Sequence, residues 1–231
     1  MKHFSFDLWL TLIKSNPHFK NERVNFFHKN YNFSNNTATE IKTVFRRVDL
    51  MCNQVNESVG YNLDAKEIYL MVLYLLNENT INYSEINIDA LYDQMESLAL
   101  NYVPLILNDK VVPILDTLKE KDKTINLLSN TGFIKGDTID KILCSLDLKK
   151  YFDFEIYSDQ FDLSKPNYKL FEIVYNKTAG IYSQDISSNE IMHVGDNPVA
   201  DIEGAKKFGM STFLLDNTLA FNNFYNYAKT L

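Results

Sequence analysis

The chain has 231 residues, of which 45% are hydrophobic and 23% charged, and its formal net charge is −7. These are ordinary globular values, sufficient for one large domain or two smaller ones with a sizeable core. The negative charge argues against nonspecific binding to nucleic acid or an anionic membrane, and leaves room for a small anionic substrate held locally.

Two cysteines, Cys52 and Cys144, show neither metal-ligand spacing nor a disulfide framework, so free thiols in a reducing compartment are expected. Asp7 and Thr11 interrupt the N-terminal apolar stretch, so no signal peptide is expected. The longest apolar run, Ile68 to Leu76, is too short to span a bilayer. A soluble cytoplasmic protein is the expectation, with monomer and homodimer both open.

Residues 3–7 read as a weak strand, because Phe4 and Phe6 are apolar while His3 and Ser5 are not. From about Pro17 to Tyr102 the periodicity is helical. Residues 20–31 form one expected helix. Thr37 stands at capping-box spacing from Glu40 before another, whose buried face is expected to carry Ile41, Val44, Phe45, Val48, Met51, Cys52 and Val55. Asp64 starts a third, and Asp89 to Asn101 reads as a fourth.

From Val103 onward strands and helices alternate. Lys110–Glu120 reads as a helix, Thr124–Leu128 as a strand, and Thr138–Ser145 as a helix. Phe154–Tyr157 is a strand, and Tyr168–Thr178 a helix behind Ser164-Lys165-Pro166-Asn167. Glu190–Val194 is a strand, Val199–Phe208 a helix ended by Gly209, and Thr212–Leu215 a last strand. The spacing of Phe221, Phe224 and Tyr225 fits one helix face packed on the core. The alternation implies an α/β fold with a doubly wound parallel sheet. Its first strand precedes the helical block, so residues 15–103 are read as a helical cap domain inserted into a core of residues 1–14 and 104–231.

Four polar clusters follow strands or open helices: Asp7 with Thr11, Ser129 with Asn130, Lys165, and Asp196 with Asp201. A parallel sheet gathers its strand ends on one side, so these clusters are expected to converge. Donors at a helix start suit an anionic group. Asp7 with Asp196 offers hard oxygen ligands of the kind Mg²⁺ takes. His3 and His193 read as structural, and His18 as a surface residue at a hinge.

The segments FDLWLTL, INLLSN, LSKPNYKLF and MHVGDNPVAD, in that order, resemble the four motifs of the haloacid dehalogenase superfamily of hydrolases. The resemblance covers the core, and the insert stands where that family carries its helical cap. It implies Asp7 as a nucleophile that forms an aspartyl intermediate, with Thr11 beside it. It implies Ser129 and the Asn130 amide as the phosphoryl cradle and Lys165 as the cation neutralising Asp7 and substrate. Mg²⁺ is implied at Asp7, Asp196 and the Trp9 carbonyl, with Asp201 in support.

Trp9 departs from the phosphatase pattern, which usually places a second aspartate two residues after the nucleophile. Indole only donates and does not titrate in the working range, so it replaces neither the acid nor the base. Leu10 stands where glycine is usual. The dehalogenase branch also lacks that aspartate, and it uses a cap arginine near the halide. Of Arg23, Arg46 and Arg47, all in the insert, Arg47 flanks an apolar helix face and is the candidate substrate contact. The leading expectation is a Mg²⁺-dependent phosphatase of a small phosphorylated metabolite. The alternatives are a dehalogenase-like hydrolase and a catalytically weak phosphate-binding protein.

Overall fold

The computed structural model describes residues 1–78 and 81–231. In chain order these comprise β1 (His3–Phe6), β2 (Ile13–Lys14), α1 (Pro17–Asn30), α2 (Ala38–Val59), α3 (Ala65–Asn77), α4 (Ile88–Asn101), β3 (Leu105–Ile106), α5 (Val111–Glu120) and β4 (Thr124–Ser129). There follow α6 (Gly136–Ser145), β5 (Phe154–Tyr157), α7 (Tyr168–Ile181), β6 (Ile191–Gly195), α8 (Gly204–Phe208), β7 (Ser211–Leu214) and α9 (Thr218–Thr230). Single 3₁₀ turns connect several of them.

Five strands form one parallel sheet in the order β5-β4-β1-β6-β7. β1 is its middle strand and is buried throughout, which explains its weak sequence signal. Phe4 and Phe6 pack on the layer made by α5, α6 and α9. The alternate residues His3 and Ser5 are paired instead of apolar: His3 contacts Thr124 Oγ1 (2.6 Å) and Asn126 Oδ1 (2.8 Å), and Ser5 Oγ contacts His193 Nδ1 (3.0 Å). Pairing is what permits polar groups in such a strand. α7 and α8 cover the opposite layer. Phe221 and Phe224 of α9 are buried in the core, with Tyr225 partly buried beside them.

α1 to α4 share a separate apolar cluster built on Phe27, Phe45, Tyr69, Leu73 and Met95. The chain enters this block after β2 and leaves it before β3, and the two short strands pair antiparallel. Thr37 and Asp64 close capping boxes with Glu40 and Glu67. Asn16, Asn87, Asn167 and Asn217 cap α1, α4, α7 and α9 through their side-chain oxygens.

Three expectations are corrected. The buried stripe of α2 is narrower than its periodicity suggested: Ile41, Phe45, Val48 and Cys52 are buried, while Met51 and Val55 are 40% and 42% exposed. The first insert helix begins at Pro17, pre-set for the first turn and capped by Asn16. The helix expected over Val199–Phe208 opens as a wide π turn, Pro198–Glu203, in which the Asn197 carbonyl accepts from both Asp201 and Ile202 N–H groups. No helix among the described residues is long and apolar enough to cross a membrane.

Candidate active site

Register assembles the site. Phe6 lies opposite Leu127 on one side and Val194 on the other. Asp7 therefore leaves β1 at the same edge where Ser129 ends β4 and Asp196 follows β6. The Asp7 N–H continues the ladder to the Val194 carbonyl at 2.9 Å. This is the carboxyl edge of the sheet, where open α/β folds bind ligands.

Lys165 arrives from the segment before α7 and is 2% exposed. Its Nζ donates to Asp7 Oδ1 at 2.6 Å, to Asp201 Oδ1 at 2.6 Å and to the Leu128 carbonyl at 3.0 Å, which satisfies all three ammonium protons. Asp201 also receives the Asn197 N–H (3.0 Å) and lies 3.2 Å from His193 Nε2. The π turn brings Asp201 this close to the end of β6. A β-carbon on Gly195 would stand 2.3 Å from Asp201 Oδ2, so that position must be glycine for the approach to occur.

Oxygens of Asp7, Asp196 and Asp201 lie within 4.8 Å of one another. Burial pushes the Asp7 carboxyl up, and the Asp201 and Asp196 charges add to the shift, against the pull of Lys165; it reaches about 6. Burial and the Asp201 charge likewise push Asp196 up to about 6. Burial also works against ionised Asp201, but Lys165 and His193 hold it well below the usual carboxylate range. Asp201 has more donors than Asp7, so the shared ammonium leaves Asp7 as the less satisfied anion. Burial disfavours charged Lys165 too, yet its two carboxylates hold it above the ordinary lysine value. Thr11 Oγ1 points at Asp196 Oδ1 across a long 3.5 Å contact.

Ser129 is buried at the end of β4, its hydroxyl donating to the Asn130 carbonyl at 3.2 Å. The Asn130 side chain grips the lysine segment from both sides: Oδ1 accepts the Lys165 N–H (2.7 Å) and Nδ2 donates to the Lys165 carbonyl (3.1 Å). Asn130 thus positions Lys165, a role that its place behind a strand did not reveal.

Trp9 lines a cavity of about 20 Å³ between insert and core with Phe19, Ala99, Tyr102, Ile134 and Ile142. That volume is about one water molecule. Leu10 has a φ of +62° and is 58% exposed, so the turn keeps the left-handed backbone that glycine would favour.

The Arg47 expectation is corrected: Arg47 is exposed on α2, in an open groove lined with Lys42, Arg46 and Leu50, and among the described residues no contact joins it to Asp7, Lys165, Asp196 or Asp201. The narrower buried stripe leaves it outside. Arg23 of α1 is the buried arginine instead, 9% exposed. A polar residue beside apolar Val24 carries no sequence signal for this.

The insert also closes on the core through residues the motifs did not flag. Glu57 Oε1 accepts from Asn197 Nδ2 at 2.5 Å, bringing an insert carboxylate to the residue after Asp196. The Gly60 carbonyl accepts from the Ser164 N–H (3.1 Å) and Asn167 Nδ2 (3.0 Å). Asn62 Oδ1 accepts from Ser158 Oγ at 2.6 Å. His193, expected to be structural, is buried in the sheet and touches Asp201.

The chain is similar to known proteins in sequence and in fold. The chain is 25% identical over 167 residues to the glyceraldehyde 3-phosphate phosphatase of Methanocaldococcus jannaschii, covering 66% of this chain and 69% of the relative. The HAD-hydrolase YfnB from Bacillus subtilis, in a structure bound to magnesium, superposes with a TM-score of 0.73 at 14% identity, over 97% of this chain and 98% of that one. The L-2-haloacid dehalogenase of Xanthobacter autotrophicus, with chloropropionic acid covalently bound, superposes with a TM-score of 0.61 at 17% identity, over 95% and 80% of the chains. At these identities the two structures speak for the fold. The model of the haloacid dehalogenase-like hydrolases matches residues 6–215, and the chain belongs to that family of hydrolases.

Proposed function

We propose that this hydrolase is a phosphatase of a small phosphorylated metabolite, working with a bound divalent cation. The carrying observation is a charge imbalance: three carboxylates, Asp7, Asp196 and Asp201, converge on one ammonium, Lys165. Their formal charges sum to −2. Buried charge without a partner is costly, and the raised positions of Asp7 and Asp196 register that cost. A divalent cation balances it, and a cluster of carboxylate oxygens is the donor set Mg²⁺ takes. Asp7, Asp196 and the Trp9 carbonyl would hold the ion, with Asp201 tied back to Lys165. When bound, the ion supplies charge neutralisation for the phosphoryl oxygens.

The chain's own residues carry the rest. An Asp7 oxygen attacks phosphorus, the bond to the leaving oxygen breaks, and water then releases phosphate from the aspartyl intermediate and regenerates Asp7. Lys165 keeps Asp7 ionised through a 2.6 Å bond and faces the incoming anion. Ser129 and the backbone N–H of Asn130 at the end of β4 are the donors that the family resemblance assigns to the phosphoryl oxygens. Trp9 supplies no proton to the leaving oxygen, and general acid–base catalysis is worth about 10²–10⁴-fold. Alkyl esters are therefore expected to turn over slowly, and esters whose leaving group is stable as an anion faster.

Trp9 also favours a second reading, dehalogenation, because halide leaves without a proton. The unbalanced carboxylates count against it. A metabolite panel assayed for phosphate and for halide, with and without Mg²⁺, separates the two. Mg²⁺-dependent phosphate release that Asp7→Asn abolishes supports the phosphatase; halide release without metal overturns it.

A further inference from the structure

Arg23 is buried at the junction of insert and core, among groups that do not neutralise it. Its guanidinium carbon lies 4.0 Å from the ring centre of Phe45, 4.8 Å from Phe133 and 5.2 Å from Phe19. Among the described residues it forms no salt bridge, and its buried Nε has no hydrogen-bond partner. The Tyr69 hydroxyl stands beside it and favours its charge. The geometry closes no hydrogen bond, however, and Tyr69 Oη is likewise buried and unpartnered. Asp49, the carboxylate that acts on Arg23 electrostatically, is already engaged by Arg46 at 2.8 Å.

Two orphaned polar groups side by side mark a place built for an occupant. A planar guanidinium next to a hydroxyl matches an oxyanion, which accepts from both. The aromatic walls hold the guanidinium without consuming its donors. The location is specific. Phe133 belongs to the segment that continues from Ser129 and Asn130, and Phe19, one turn before Arg23 on α1, lines the same cavity as Trp9.

We propose that Arg23 and Tyr69 form a second anion subsite that binds an oxyanion on the leaving group of the substrate, a carboxylate or a further phosphate. Substrate recognition at this subsite rests on the phosphatase reading above and narrows it to esters that carry a second anionic group.

Three probes of similar size test this: phosphoglycerate, glycerol phosphate and propanediol bisphosphate. With the metal-loaded wild-type protein, KM for one or both doubly anionic esters is expected at least tenfold below that for glycerol phosphate; which of the two shows it identifies the oxyanion. Arg23→Met raises that KM at least tenfold and leaves glycerol phosphate unchanged. Tyr69→Phe, a milder change, raises it severalfold with the same selectivity. Equal losses on all three esters, or no preference in the wild type, overturn the subsite. Calorimetric titration of Asp7→Asn with the same esters reads binding without turnover. If the wild type hydrolyses none of them, yet Asp7→Asn binds a doubly anionic ester at least tenfold tighter than glycerol phosphate and Arg23→Met removes the difference, the phosphatase reading fails and the subsite stands.

Discussion

Lys165 and Asp201 are joined by a 2.6 Å ion pair in which both side chains are 2% exposed. The same ammonium holds Asp7 at 2.6 Å, so one buried cation carries the geometry of two carboxylates from opposite ends of the chain.

Removing that cation is expected to be severe. Breaking a buried pair from one side costs about 3–5 kcal/mol, since the remaining charges lose their partner. Lys165→Met should therefore lower Tm by roughly 6–20 °C, at about 2–4 °C per kcal/mol for a chain of this size, and abolish turnover. A thermal melt within about 2 °C of the wild type contradicts this.

Asp196 should behave in the opposite sense. Its carboxyl is pushed up to about 6 in the folded protein from an ordinary 3.8. A raised carboxylate stabilises the fold fully below its unfolded value, and that stability is lost as pH rises from about 4 to about 6. Without metal, Asp196→Asn should thus be more stable than wild type at neutral pH, by about 1–2 kcal/mol after allowing for its partial exposure, with the gap closing near pH 4. Mg²⁺ should raise the wild-type Tm and leave that of Asp196→Asn nearly unchanged. Denaturant titrations with and without the ion check both statements; equal Mg²⁺ shifts in the two proteins contradict the ligand assignment.

Gly195→Ala tests the approach of Asp201. The added carbon would meet Asp201 Oδ2 at 2.3 Å and Asp201 Cβ at 2.7 Å, so the carboxylate must move off Lys165. Overpacking of this kind costs about 1–3 kcal/mol. Activity should fall by about a hundredfold or more, while the isolated chain still folds. Wild-type kinetics in this variant contradict the tight packing.

His3 gives a pH signature remote from the chemistry. Burial lowers its imidazole to about 4, against the opposing hydrogen bond to Asn126. The folded value lies below the unfolded one near 6.5, so its contribution is full above about pH 6.5 and is lost as pH falls toward 4, on the order of 3 kcal/mol in all. This slope opposes that of Asp196 over pH 4–6, so it emerges most clearly in Asp196→Asn. An NMR titration of the His3 ring should show no ionisation above about pH 5; a midpoint near 6.5 contradicts its buried, neutral state.

The α/β alternation and the convergence of Asp7, Lys165 and Asp201 were legible because strand ends and motif order are local properties of the chain. What escaped the sequence depended on contacts between segments far apart. Arg23 and Arg47 look equivalent as letters on amphipathic helices, and only the packing of Phe19, Phe45 and Phe133 decides which is buried. Met51 and Val55 have the right period for a core face, but the face is narrower than the period allows. Asn130 reads as a strand-end donor, whereas its side chain is spent on the Lys165 backbone. The pairing of Glu57 with Asn197 joins residues 140 positions apart, which no local pattern encodes.

On the proposed mechanism Asp7 becomes covalently phosphorylated. The most direct measurement is acid quenching of the Mg²⁺-loaded protein during turnover of a phosphate ester labelled in its phosphoryl group, followed by peptide mapping. The label should appear on the peptide containing Asp7, be released by hydroxylamine as an acyl phosphate, and be absent from Asp7→Asn. Phosphate release by Asp7→Asn at the wild-type rate, or turnover with no label on that peptide at any quench time, would contradict it.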